Sequence, residues 1–325
     1  MNSLGVAVSI FALTACGGTV AAAPGETPDA TVVVDAASAD DASDDLDAGV
    51  VPCALGAGVV VLDAATPTNG SLSFSVAYGE VAAPPTTFFF NGSFDPPSSP
   101  PPSTSCNMHV GACWISTPCD AGDVTVPTVS AGVLTLQGAA FAPIAVAPES
   151  DDDASVDYEY PPPDDGTVDA GFDAAALTFR AGDTLCVSGT GGDVPAFPNL
   201  PIDAPAFLSL TSPAFSPPSG SNPLELVLSS ASDAVLGWTP DPADDTVAFT
   251  LFSGAGQGSA VCVFDASAGT GTVPRAVLTT LASPPGSDAT LLGSFEAYRE
   301  RVYGVGASVI GVGASAVESF SARIE

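Results

Sequence analysis

Residues 71–78 read SLSFSVAY, and their alternation decides the class of fold. Leu72, Phe74, Val76 and Tyr78 take every second position, with Ser71, Ser73, Ser75 and Ala77 between them. Successive side chains of a strand point to opposite faces, so the stretch is predicted as a strand with one buried and one polar face; a helix would need apolar spacings of three and four. Similar runs lie on both sides of it. They are PTTFFFNG at 85–92, HVGACWIS at 109–116, DVTVP with GVLTLQG around Ser130-Ala131-Gly132, and LTFRAGDTLCVSG at 177–189, in which Arg180 to Asp183 reads as a turn. Phe88, Phe89 and Phe90 cannot all point inward from one strand, so at least one meets a neighbouring domain, a ligand or solvent.

The second half continues the pattern. Residues 224–252 give strand, turn, a strand ending at Trp238, an acidic loop and a strand again. That order is similar to the opening of fibronectin-type or immunoglobulin-like sandwiches, and the resemblance implies that Trp238 is a core residue. VPRAVLTTL at 273–281 is the one short helix expected, with Pro274 suited to a first turn. The C-terminal stretch 293–324 repeats Gly-Val-Gly-Ala-Ser seven residues apart, and its glycine content favours paired strands over a heptad helix. With 33 Gly, 31 Pro and two Met in 325 residues, short strands and many turns are favoured throughout. The expected class is all-β: two antiparallel β-sandwich domains after a disordered acidic tether.

Composition limits the partners. There are 37 acidic residues against five basic ones, all arginine (Arg180, Arg275, Arg299, Arg301, Arg323), for a formal charge of −32. Such a chain repels phosphate backbones and anionic lipid surfaces, which excludes nucleic-acid binding through a basic patch. The absence of lysine removes Schiff-base and phosphate-loop chemistries that need an amine. The chain is 46% hydrophobic, so it can form cores provided the acids are segregated. They are. Residues 17–50 hold eight acids and no basic or aromatic residue, and 149–173 hold ten acids and no base. Like charges extend such segments, so the first reads as a tether and the second as a solvated insertion.

Before the tether lies LGVAVSIFALTA at 4–15, an apolar run of twelve, too short to span a bilayer as a helix and suited to an export leader. It ends in Leu13-Thr14-Ala15-Cys16, which resembles the lipobox of bacterial lipoproteins; the resemblance implies acylation of Cys16 and cleavage before it. Residues 2 and 3 carry no Lys or Arg, a departure from the usual basic start of a leader. The alternatives are a non-lipid leader cut after residues 21–23, which would put Pro24 behind the cut, and a buried first strand, for which the next thirty residues supply no partner. The Ala/Asp-rich tether behind a lipobox resembles uncharacterised lipoproteins of myxobacteria and related Gram-negative bacteria. Gly17 after the cysteine implies, within those families, sorting to the outer membrane, with the body periplasmic or surface-exposed.

Cysteine parity agrees with this. Removing Cys16 from seven leaves Cys53, Cys106, Cys113, Cys119, Cys186 and Cys262, an even set for disulfides in an exported chain. Connectivity stays open: Cys113 and Cys119 are near enough to bridge locally, Cys186 and Cys262 lie in strand-like runs able to face each other, and Cys53 with Cys106 would then remain. The expected divisions are 1–15 signal peptide, 16–51 tether, 52–204 first sandwich with the acidic insertion, 205–223 Pro-rich linker and 224–325 second sandwich.

Site chemistry is sparse. Cys106, His109, Cys113 and Cys119 in CNMHVGACWISTPC have the residue types of a tetrahedral zinc site but not its usual paired C-x2-C spacing. Asp151, Asp153, Ser155 and Asp157 mimic the first positions of a calcium loop, yet Val156 replaces the needed glycine and Pro162 the bidentate glutamate. Weak Ca2+ association with this tract is the most it implies. No serine near His109, the sole histidine, has the context of a nucleophile elbow. Glu80 and Glu225, beside apolar strands, are the first acids to test for glycoside cleavage. The expectation is a lipid-anchored binding or scaffolding module without a catalytic site, metal or cofactor, whose partners are an envelope protein or polysaccharide. The alternative is a secreted β-sandwich enzyme using paired carboxylates on polysaccharide.

Overall fold

The computed structural model describes residues 53–78, 87–95, 107–116, 128–139, 141–150, 155–160, 179–216, 224–241, 245–253, 258–282 and 291–325. The leader, Cys16, the tether, Glu80, Cys106, Cys119, Asp151, Asp153 and Pro162 lie outside them. Nearly all of the regular secondary structure among the described residues is strand. SLSFSVAY falls in β2 (Gly70–Tyr78), and Leu72, Phe74 and Val76 are all buried on one face, as the alternation requires.

One large sheet organises the molecule. Its order is β4 (Asn107–Val110), β5 (Cys113–Ser116), β16 (Ser259–Asp265), β15 (Thr246–Ser253), β18 (Leu291–Val305), β19 (Ser308–Ile324), β2, β3 (Thr87–Phe94), β9 (Val156–Tyr160) and β8 (Glu149–Ser150). β1 (Val59–Leu62) joins β18, and β13 (Glu225–Leu228) joins β19. Most pairings are antiparallel; β2 and β13 run parallel to β19. Two small antiparallel sheets pack on one side. The first is β11 (Phe197–Asp203), β10 (Thr184–Gly189), β6 (Leu134–Gly138) and β7 (Phe141–Val146); the second is β12 (Leu210–Ser212), β14 (Ala234–Trp238) and β17 (Thr270–Val273). The short helix α1 (Arg275–Leu281) starts after Pro274, where the sequence places it, and buries Val277, Leu278 and Leu281.

Each small sheet traps a core against the large one. The first core joins Phe74, Phe88, Phe90, Phe94 and Tyr158 of the large sheet to Leu134, Leu136, Leu185, Val187 and Leu200 of the four-stranded sheet. The second joins Ile115, Phe249, Phe295 and Phe320 to Leu210, Leu236, Trp238 and α1. Trp238 is a core residue, and its indole N–H donates to the Ala266 carbonyl at 2.9 Å. Burying such aromatic and aliphatic groups stabilises by roughly 1.5–3 kcal/mol each before entropy is counted.

The cores change over between Phe207, packed on the first, and Leu208, in the second, but the chain does not divide in series. The β18–β19 hairpin carries Tyr303, Ile310 and Val312 in the first core and Leu291, Phe295 and Phe320 in the second. Ile115, from the first half, is also in the second core. Part of the Pro-rich segment is structural as well: Leu208 and Leu210 are buried, and Leu210 pairs with Trp238. The strands of 224–252 do not pair consecutively. β13 goes to β19, β14 to β12 and β17, and β15 to β16 and β18.

The long hairpin closes between Val305 and Ser308 through Gly306, at φ +59°. Two of its other glycines make room for rings: a Cβ on Gly293 would lie 2.2 Å from the Phe320 ring, and one on Gly313 would lie 2.7 Å from that of Tyr298.

The structure pairs the cysteines across the fold rather than between near neighbours in sequence. Cys53 bonds to Cys186 and Cys113 to Cys262, rather than Cys113 to Cys119 and Cys186 to Cys262. Cys113 and Cys262 are register partners on adjacent strands, a pairing across 149 residues that spacing cannot show. The other bridge ties the start of the body to β10, and the Gly56 N–H donates to the Asn199 carbonyl of neighbouring β11.

Candidate functional site

The inner face of the large sheet is consumed by the cores, so chemistry must be sought on its outer face and in the seam between the cores. In β18 the alternation of FEAYRER assigns the sides. Phe295, Ala297, Arg299 and Arg301 face inward, and Glu296, Tyr298 and Glu300 face outward.

The seam is held by charge. Arg299 donates to both carboxylate oxygens of Asp245, through Nε at 2.5 Å and Nη2 at 2.9 Å, and from Nη1 to the Asp203 carbonyl at 3.3 Å. The Asp245 side chain is fully buried. Arg301 reaches the Asp203 carboxylate at 3.6 Å in a more exposed pair. The Tyr303 hydroxyl donates to the Pro201 carbonyl, and burial, with a smaller and partly opposed effect of Arg301 and Asp203, pushes it up to about 12. Glu318, on β19 where one core gives way to the other, is fully buried. It accepts long hydrogen bonds from the Leu210 N–H and the Ser209 hydroxyl. Its carboxyl is raised above the usual 4.5 because desolvation outweighs these bonds. Each of these groups has a partner across the seam, and together they clasp the two cores.

The outer face has two parts. Over β18, β19 and β2 lies a covered polar cluster. Glu296 is buried and bonded to the Ser315 hydroxyl, which lies 2.9 Å from that of Ser75. Tyr298 crosses Gly313 and donates to Glu300. Burial raises both glutamates and the tyrosine. Glu296 and Glu300 stand four residues apart on one strand, so their Cα atoms are about 13 Å apart, with Tyr298 between them. That separation is a poor basis for the closely opposed carboxyl pair of glycoside cleavage.

Over β4, β5, β16, β15 and β18 the outer face is exposed at its two ends and half-buried between them, with Thr250 buried. His109 and Trp114 are register partners whose rings lie 5.0 Å apart. Pairing continues the row from Trp114 to Val261, Thr250 and Ser294, and the adjacent row runs Ser116, Ser259, Phe252, Leu292. Trp114 is 37% and Leu292 46% exposed.

The sequence-nominated residues separate in space. His109 is exposed on edge strand β4, and Cys113 is bonded to Cys262, so it has no thiolate to join His109 on zinc. Among the described residues no group of three or more His, Cys, Asp or Glu is placed to hold a metal ion. Glu225 is on β13 beside Arg323, 3.4 Å away. Ser155 and Asp157 are at β9, and Glu149, Asp157 and Glu159 gather there; burial and then this repulsion raise Glu159. Phe88 and Phe90 point into the first core against Phe74, Phe141, Tyr160 and Phe179, while Phe89 takes the outer face half-buried. The clasp and the cluster were not foreseen. Alternation alone separates Glu296, Tyr298 and Glu300 from the arginines, but not which of the two faces is covered.

No family model and no curated protein matches the chain. Among solved structures it is similar to one described as a tetra-tandem repeat in the extending region of a large adhesion protein, at 13% identity over 78% of this chain and a TM-score of 0.18. The chain spans half of that structure's length. Among the described residues no helix is long and apolar enough to cross a membrane.

Proposed function

We propose that the protein is a cell-envelope lipoprotein, anchored through an acylated Cys16 at the outer membrane, whose body binds or scaffolds rather than catalyses. The observation that carries this reading is the pair of bridges, Cys53–Cys186 and Cys113–Cys262, both with one or two cysteines buried in the body. Bonds of this kind persist in oxidising compartments, which supports export. The leader and the lipobox-like Leu13-Thr14-Ala15-Cys16 supply the route. One acyl chain holds a protein to a bilayer only marginally and two or more hold it firmly, so the anchor requires multiple acylation. The acidic tether then keeps a body of the same charge sign off an anionic surface. Each interior charged group described above has a partner or accepted bonds, which favours a structural body over a reactive one.

Intact mass of the membrane-extracted protein tests the proposal. The expected species lacks residues 1–15, carries acyl mass on Cys16 and is lighter by two hydrogens per disulfide. Recovery of the unprocessed chain with free thiols from the soluble interior would overturn it.

A further inference from the structure

We infer that the part of the outer face centred on Trp114 is a binding platform for an uncharged polysaccharide. The inference rests on the reading of the protein as an exported binding module and names what that module holds. Four adjacent strands, β5, β16, β15 and β18, bring Trp114, Val261, Phe252 and Leu292 onto one surface. At about 4.8 Å between strands the surface is about 14 Å across, room for a few pyranose rings. Trp114 and Leu292 stand exposed at its opposite ends, with Val261 and Phe252 half-buried between them.

Charge selects the ligand. Over these strands the two outward rows contain no Asp, Glu, Lys or Arg, in a chain with 37 acids and five arginines. A basic partner would find its complement on other surfaces of this molecule, and acidic glycans or anionic lipids are repelled by the whole. A second copy would have to bring −32 against −32. An uncharged polymer meets none of these penalties. Its sugars offer a C–H face that stacks on an indole and a hydroxyl rim, and Ser116, Ser259 and Ser294 border the apolar residues with groups that both donate and accept.

The platform is held in place from beneath. Cys113 and Ile115, the neighbours of Trp114 on β5, are fully buried, and Cys113 is bonded to Cys262 on the next strand. His109 packs against the indole from the edge. Rigid anchors lose little freedom on binding, which favours a fixed aromatic platform over a flexible loop. The two tryptophans divide cleanly: the Trp238 N–H is bonded to the Ala266 carbonyl in the core, whereas Trp114 lies at the surface.

The test is native-gel migration of the full chain in detergent, through gels containing hydroxyethyl cellulose, laminarin or alginate. Expected is retardation by at least one of the two neutral polymers and none by alginate. Trp114→Ala should lower that affinity at least tenfold, Trp114→Phe should restore part of it, and acrylamide quenching of Trp114 should fall with polymer present. Unchanged Trp238 emission in Trp114→Ala shows that the fold persists. Equal retardation of wild type and Trp114→Ala overturns the inference, as does retardation by alginate alone or by none of the three. So does sedimentation showing that the wild type self-associates through this face and Trp114→Ala does not. The intact-mass measurement reads the anchor independently, so either proposal can fail without the other.

Discussion

Burial of Glu296 is expected to make this protein more stable in mild acid than at neutral pH. Its carboxyl is buried on the outer face with Ser315 as hydrogen-bond partner, and burial raises it above the usual 4.5. A carboxyl that binds its proton more tightly folded than unfolded opposes folding at high pH. The opposition is complete above the folded value, fades as pH falls through it and is gone below about 4.5, where both states are protonated. Within that window one such group changes stability by up to about 1.4 kcal/mol per pH unit. Glu300 and Glu318 are raised by burial as well, so they act in the same direction. Asp265 is held low by Ser267 and acts only below its usual 3.8, outside the window. The assay is urea unfolding with intact disulfides, followed by emission of buried Trp238 at pH 7, 6 and 5. Relief of repulsion among surface acids also favours acid, so the informative quantity is wild type minus Glu296→Gln. Glutamine mimics the protonated side chain and keeps a partner in Ser315. The variant should be the more stable at pH 7, with the difference closing toward pH 5. A variant less stable at pH 7, or a difference that does not change with pH, would refute the reasoning.

Three further outcomes are expected. Removing the Cys113–Cys262 bridge in Cys113→Ala/Cys262→Ala releases a 149-residue separation; chain entropy sets the loss at about 5 kcal/mol, read as an earlier urea midpoint, and a loss below about 1 kcal/mol would contradict it. Arg299→Met leaves Asp245 buried without its guanidinium and should destabilise by about 3–5 kcal/mol, with Arg299→Met/Asp245→Asn recovering part of that in a double-mutant cycle. Gly293→Ala drives a methyl to 2.2 Å from the Phe320 ring, so about 1–3 kcal/mol is lost, and Gly293→Ala/Phe320→Leu should lose less than the sum of its parts.

Local rules were legible because they act within a few residues. Alternation placed β2, glycine content the paired strands of 293–324, turn residues the turn at Arg180 to Asp183, and Pro274 the start of α1; the turn is closed by an Asp183 N–H donated to the Arg180 carbonyl at 3.0 Å. The resemblance to immunoglobulin-like sandwiches placed Trp238 in the interior, whereas the acidic stretch 149–173, read as a solvated insertion, contains β8, β9 and the buried core residue Tyr158. What no window of residues could hold is which strands become neighbours. Register brings Cys113 opposite Cys262, and the crossing chain sets Asp245 beside Arg299. A strand's two faces are equivalent until tertiary packing covers one of them. The way the two small sheets cover one side of the large one sets Glu318 in a seam, and tertiary packing likewise decides that Glu296 is covered on the other face while Trp114 meets solvent.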